Sequence, residues 1–174
     1  LSADEERPRK RAEEGLGISS SRFTYAIGKL VLWSRAAEVV KGEATLREGR
    51  FEKIAVANPL AAPYGSAALE TLKALGVYET LRGKIVEGVS IGQTFQFAQT
   101  GNAEVGLVAL SQTIGKGGSS WIVPSGLYTP IRQDAILLKS AKDAQAAEAF
   151  LAFLKGAEAR GVIERFGYGL EGGG

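Results

Sequence analysis

Two short segments of this chain join a tight turn to the start of a helix, and both have the makings of an anion cradle. The first is Asn58-Pro59-Leu60-Ala61-Ala62-Pro63-Tyr64-Gly65. A buried-type strand, Ile54-Ala55-Val56-Ala57, leads into it. Ser66 to Leu75 follows, with apolar residues at 68, 72 and 75, the spacing of one helical face. The pattern therefore predicts a turn at Pro63-Tyr64-Gly65 and a helix over 66–75. The second segment is Gly88-Val89-Ser90-Ile91-Gly92-Gln93, set between a strand expected at 84–87 and a helix expected at 93–99. The first N–H groups of a helix lack partners inside it, and the helix dipole adds positive potential there. Backbone amides near Tyr64 and Gly65, and at the second turn beside the Ser90 hydroxyl, are thus suited to an oxyanion. Each segment alone also fits an ordinary strand-to-helix turn, with Ser90 as an N-cap. Their repetition is what points to a shared function.

Other chemistry is scarce. The chain has no Cys, His or Met. That removes imidazole bases, Ser-His and Cys-His nucleophiles, and zinc sites of the usual kind. The carboxylates Glu70, Glu79, Glu87 and Glu104 form no pair whose placement argues for acid–base work. Gly115-Lys116-Gly117-Gly118-Ser119-Ser120 has glycines and a lysine but not the P-loop spacing, so it reads as a mobile surface loop. A binding protein is expected, with neither catalytic residues nor a cofactor.

The charge is nearly balanced, 21 basic against 19 acidic residues. Nucleic acid is therefore not an expected partner. The run from Asp4 to Glu14 alternates signs and reads as a solvated helix face. No apolar stretch nears the roughly 20 residues that cross a bilayer. No secretory leader is visible, and the chain starts at Leu1 without Met, which reads as a processed or cut product.

The elements that must carry these turns alternate. A helix is expected over Asp4 to Gly15, a Ser-rich loop at Ile18 to Ser21, and extended chain from Arg22 to Ser34. Ala36 to Arg50 reads as a surface connection with a short helix. Val105 to Leu110 is a continuous apolar run of the buried parallel type. Ser111 to Ser120 reads as loop, and Pro130 to Leu138 as a strand that could lie beside Lys29–Trp33. Two helices follow, 144–154 and 157–166, with a glycine tail at 172–174. Phe95, Phe97, Phe150, Phe153 and Phe166 are expected in the core. Strands alternating with helices give an α/β fold with a mostly parallel sheet.

Taken together, APYG, GQTFQFAQTGNAE and GLVALSQ, in this order, resemble the periplasmic molybdate-binding proteins of ABC importers. SADEERP, FTYAIGKLVLWS and KGAEARGVIERFGYGL extend the likeness over nearly the whole chain. The resemblance implies a type II periplasmic-binding-protein fold, in which two α/β lobes joined by crossover strands close over molybdate or tungstate. Residues 1–28 and 139–174 would form the first lobe, and 29–138 the second with the crossover strands at its ends. Typical members begin with further serine-bearing segments, so the first lobe is expected to be incomplete. By the match, Tyr64 and Ile91 hold the oxyanion and so its metal, with Gly65 and Ser90 beside them. Some members have a tyrosine where this chain has Ala109. A periplasmic location and a membrane permease as partner are implied. The alternative kept open is the effector-binding domain of a transcription regulator, whose fold is similar.

Overall fold

A computed structural model describes residues 1–171. The expected glycine tail at 172–174 lies outside the described residues. In chain order the elements are α1 (Glu6–Glu13), β1 (Gly17–Gly28), β2 (Leu30–Ser34), α2 (Ala44–Glu48), β3 (Ile54–Ala57), α3 (Pro63–Ala74) and α4 (Tyr78–Leu81). There follow β4 (Ile85–Gly88), α5 (Ile91–Thr100), β5 (Val105–Ala109), α6 (Leu110–Thr113), β6 (Ser119–Ile122), β7 (Ile131–Leu138), α7 (Ala144–Lys155) and α8 (Ala157–Arg165).

The chain divides into two compact units. One is Lys29–Pro130; the other joins Leu1–Gly28 to the chain from Ile131 onward. The expected lobe boundary lay at 138. The division falls at 130 because β7 pairs antiparallel with β1, from Gly28↔Ile131 to Gly17↔Leu138. β7 therefore does not lie beside Lys29–Trp33.

The Lys29–Pro130 unit is built on a five-stranded sheet in the order β4-β3-β5-β2-β6. β4, β3 and β5 run parallel, while β2 is antiparallel to both β5 and β6. Val105 and Leu107 are 0% exposed, as are Leu30, Leu32 and Ile54, so the centre of the sheet is covered on both faces. On one face Val31, Trp33 and Val108 meet Phe95 and Ala98 of α5. The Trp33 and Phe95 rings lie 5.2 Å apart and tilted by 41°. Gly106 lets α5 close on that face, since a Cβ there would lie 3.1 Å from the Ala98 Cβ.

In the other unit α1, α7 and α8 accompany the β1–β7 pair. Two expectations fail here. Ile18–Ser21 is not loop but part of β1, with a register shift between Ile18 and Phe23 that takes up the serines as a bulge. Phe150, Phe153 and Phe166 are not core residues but 48%, 48% and 58% exposed. Among the described residues this unit's sheet has two strands, too narrow to cover both α7 and α8.

Candidate functional site

The site begins with strand direction. β3 and β4 are parallel neighbours in register from Ile54↔Ile85 to Ala57↔Gly88. Both chains therefore leave the sheet at the same carboxyl edge, where α/β sheets place their ligands. The two exits are tied together. Asn58 donates its backbone N–H to the Gly88 carbonyl (2.8 Å) and its side-chain Nδ2 to Glu87 Oε1 (2.8 Å). Its Oδ1 accepts from the Leu60 N–H at 2.8 Å, an Asx turn that folds the loop back. Helices α3 and α5 consequently both start at this edge.

The expected turn at Pro63-Tyr64-Gly65 is the first turn of α3. The reversal happens earlier, at 58–62, where Ala61 and Ala62 both donate to the Asn58 carbonyl. Pro63 stands at the first helical position, where its missing N–H costs nothing and its fixed φ suits the helix. Proline reads equally as a turn residue, which is why sequence misplaced the start. Gly65 and Ser66 both donate to the Ala62 carbonyl, at 2.9 and 3.4 Å. The Ser66 hydroxyl donates to Pro59 O at 2.9 Å. Tyr64, at the second helical position, is buried, 6% exposed. Gly65 has its amide committed within the turn, so its part here is steric. A Cβ there would collide with the Ala57 carbonyl and come within 2.8 Å of Asn58 O.

The start of α5 is more open. Ser90 is the N-cap, with extended backbone (φ −151°, ψ 163°), and its Oγ accepts the Gln93 N–H at 3.2 Å. Gln93 replies through Oε1, which accepts the Val89 N–H at 2.8 Å. This is a variant of the reciprocal capping box, displaced by one residue. Thr94 donates its N–H to Ser90 O at 3.0 Å. That accounts for two of the four leading amides of α5. Among the described residues, the N–H groups of Ile91 and Gly92 meet no acceptor. Gly88 admits the helix: a Cβ on it would lie 2.8 Å from Thr94 N.

A third strand ends beside them. β5 runs parallel to β3, and Ala109 caps a four-residue helical turn, α6, where the sequence reads as loop. Gln112 of that turn accepts the Ala109 N–H at 3.2 Å and donates Nε2 to the Ile91 carbonyl at 3.2 Å. Sequence reasoning passed over Asn58, Gln93 and Gln112. The Asn-Pro step and the Ser-x-x-Gln spacing were available signals for the first two. Gln112 acts across 21 residues and left none.

The structure thus sets Tyr64 and Gly65 in the first turn of α3, and Ser90 and Ile91 at the start of α5, on one edge of one sheet. Two apolar side chains flank them in the open, Leu60 at 97% and Val89 at 72% exposure. The Gly115–Ser120 segment is not a phosphate loop. Trp33 Nε1 donates to Gly117 O at 3.0 Å, and Ser119 and Ser120 pair with β2. Among the described residues no group of three or more His, Cys, Asp or Glu side chains is placed to hold a metal cation. The perturbed groups sit elsewhere. Burial raises the Tyr128 hydroxyl, although its bond to the Leu30 amide opposes this. Burial also works to raise Glu104, but amide bonds from Lys53, from its own backbone and from Glu52, with the Lys53 charge, hold it below the usual glutamate range.

Comparison with known proteins fits this geometry. The family model described as bacterial extracellular solute-binding protein matches residues 1–169. The molybdate-binding protein ModA of Rhodobacter capsulatus is 54% identical over 172 residues, covering 98% of this chain and 68% of that protein. ModA of Azotobacter vinelandii is 51% identical over 98% of this chain and 70% of its own length. The solved periplasmic molybdate-binding protein of A. vinelandii superposes with a TM-score of 0.89 at 39% identity, over 97% of this chain and 76% of that one. The fold is the α/β type II periplasmic-binding fold. No helix among the described residues is long and apolar enough to cross a membrane.

Proposed function

The chain belongs to the bacterial extracellular solute-binding proteins, and we propose that it captures molybdate or tungstate for an ABC importer. Its task is capture and delivery, not turnover. We place the work in the periplasm and assign the handover to a membrane permease.

The observation that carries the reading is the shared edge. Two helices of 12 and 10 residues start at the ends of adjacent parallel strands whose last pair is Ala57↔Gly88. Their dipoles add positive potential on the same side. The Ile91 and Gly92 amides supply donors, and the Ser90 hydroxyl keeps its proton to donate while its oxygen accepts from Gln93. Tyr64 shapes the α3 side, and Gly65 allows that helix to sit close to the strand end. A dianion held by fixed neutral donors needs no reorganisation of the protein when it arrives. Bonds from neutral donors to a charged acceptor are about twice as strong as neutral pairs.

Isothermal titration of the purified protein with molybdate, tungstate and sulfate tests this. Saturable binding of molybdate and tungstate, with sulfate weaker, is the expected result. Equal affinity for all three would refute the assigned selectivity, and no heat with any would refute the oxyanion reading.

A further inference from the structure

We infer that Gln112 is a positioning residue for the oxyanion donors of α5, acting through the Ile91 carbonyl. The inference rests on the oxyanion reading above and adds the element that aims the donors. Gln112 is half-buried and uses both ends of its amide. Oε1 takes the N–H of Ala109, the last residue of β5, and Nε2 grips the carbonyl of Ile91, the first residue of α5. The Ile91 carbonyl belongs to the peptide group whose N–H is that of Gly92. One side chain therefore references the first peptide plane of α5 to the end of β5. That plane sets the direction of the Gly92 N–H and, through the Ile91 Cα, constrains the Ile91 N–H. α5 otherwise meets the sheet through apolar packing, with Phe95 and Ala98 in the cluster and the Ile91 side chain partly buried against it. Those contacts fix the depth of the helix but, being non-directional, do not aim its first peptide plane. Gln93 cannot substitute, because its side chain is spent on Val89 within the same loop. A donor pair must be held within about 0.5 Å and 10–20° to serve a site. The link from Gln112 to β5 supplies that constraint.

Gln112→Met keeps the length of the side chain and removes both bonds. In the ligand-free protein it should move the amide resonances of Ile91, Gly92 and Ala109 and leave those of the α3 first turn in place. Molybdate affinity should fall about tenfold, the lower range for loss of a supporting contact around a bound ion. The ratio of molybdate to sulfate affinity should change as well. A general loss of stability would lower both affinities together and leave that ratio alone. Gln112→Glu keeps an acceptor for Ala109 and loses the donor to Ile91. It should restore the Ala109 resonance but not those of Ile91 and Gly92, and it provides the test if the methionine variant does not fold. Unshifted Ile91 and Gly92 resonances in a folded variant, or a molybdate-to-sulfate ratio equal to that of the parent, would overturn the inference. If the parent protein binds no molybdate, the oxyanion reading fails, and the ligand-free resonances still decide whether Gln112 aims these amides.

Discussion

Replacing Ile91 by proline should delete one ligand donor and little else. The backbone is prepared for it. Ile91 is the first residue of α5, where proline is favoured, and α3 already has Pro63 at the same position. The residue before a proline must be extended, and Ser90 is, at φ −151° and ψ 163°. Among the described residues the Ile91 N–H has no internal acceptor, so the fold loses no hydrogen bond. The side chain packs partly against the cluster of Val31, Trp33, Phe95, Ala98 and Val108. Trimming it to a proline ring should cost about 1 kcal/mol of stability.

The cost to binding should be larger. A hydrogen bond to a charged group contributes about 1.5–3 kcal/mol. At about 1.4 kcal/mol per decade, Ile91→Pro should weaken molybdate binding about 10- to 150-fold. Titration calorimetry reads the affinity, and circular dichroism with urea unfolding confirms the fold. Ile91→Ala is the control, since it removes more side chain but keeps the N–H. It should bind molybdate nearly as the parent does. A folded Ile91→Pro protein with parental affinity would refute the donor role. So would an alanine variant that loses as much as the proline one, because the side chain would then be responsible.

Other outcomes follow from the same contacts. Gly65→Ala forces a methyl group onto the Ala57 and Asn58 carbonyls; urea unfolding should show a loss of about 1–3 kcal/mol, the range for overpacking. Tyr128→Phe leaves the fully buried Leu30 N–H, now 3.1 Å from the Tyr128 hydroxyl, without an acceptor. The expected loss is about 1–3 kcal/mol in the same assay, and parental stability would disprove the accounting. Glu104 accepts the Glu52 and Lys53 amides and is held below the usual glutamate range. Its contribution is therefore complete above the unfolded-state value and is lost as pH falls through the lower folded-state value. Glu104→Gln should lower stability most at neutral pH and converge with the parent in acid, which flattens that acid limb of a stability–pH curve.

The α/β alternation, β3 and β5, and the Gly88–Gln93 helix start were legible because local patterns and final contacts agree there. Ile54–Ala57 and Val105–Ala109 are apolar at every position and are buried at every position. Elsewhere a distant partner overrode the local signal. Ile18–Ser21 carries serines that favour loops, yet pairing with β7 recruits it as strand. Leu110–Thr113 is too short for a helical period to show. Phe150 and Phe153 have helical spacing on an apolar stripe, but spacing reports only the stripe and not what stands opposite. At the site, the letters located both strand-to-helix segments but set the helix starts two or three residues late, at 66 and 93 instead of Pro63 and Ile91. The Asn58–Glu87 and Gln112–Ile91 bonds link positions 29 and 21 residues apart, and no local rule could display those two contacts.

Those links bear on selectivity. Molybdate and sulfate share charge and shape, so discrimination must come from the distance between donors. A rigid ring of amides cannot close around the smaller ion, whereas a loose one can. Loosening the scaffold should therefore narrow the preference before it abolishes binding. Asn58→Ala tests this. It removes the side-chain bonds to Leu60 and Glu87 and keeps the backbone bond to Gly88, so the loop remains attached but less firmly held. Molybdate affinity should fall by about tenfold at most, the worth of one ordinary hydrogen bond. Sulfate affinity should fall less, or rise. Parallel calorimetric titrations of both ions measure the ratio. Equal losses for the two ions would mean that donor spacing is not what the Asn58 bonds protect, and the source of selectivity would have to be sought in the walls of the site.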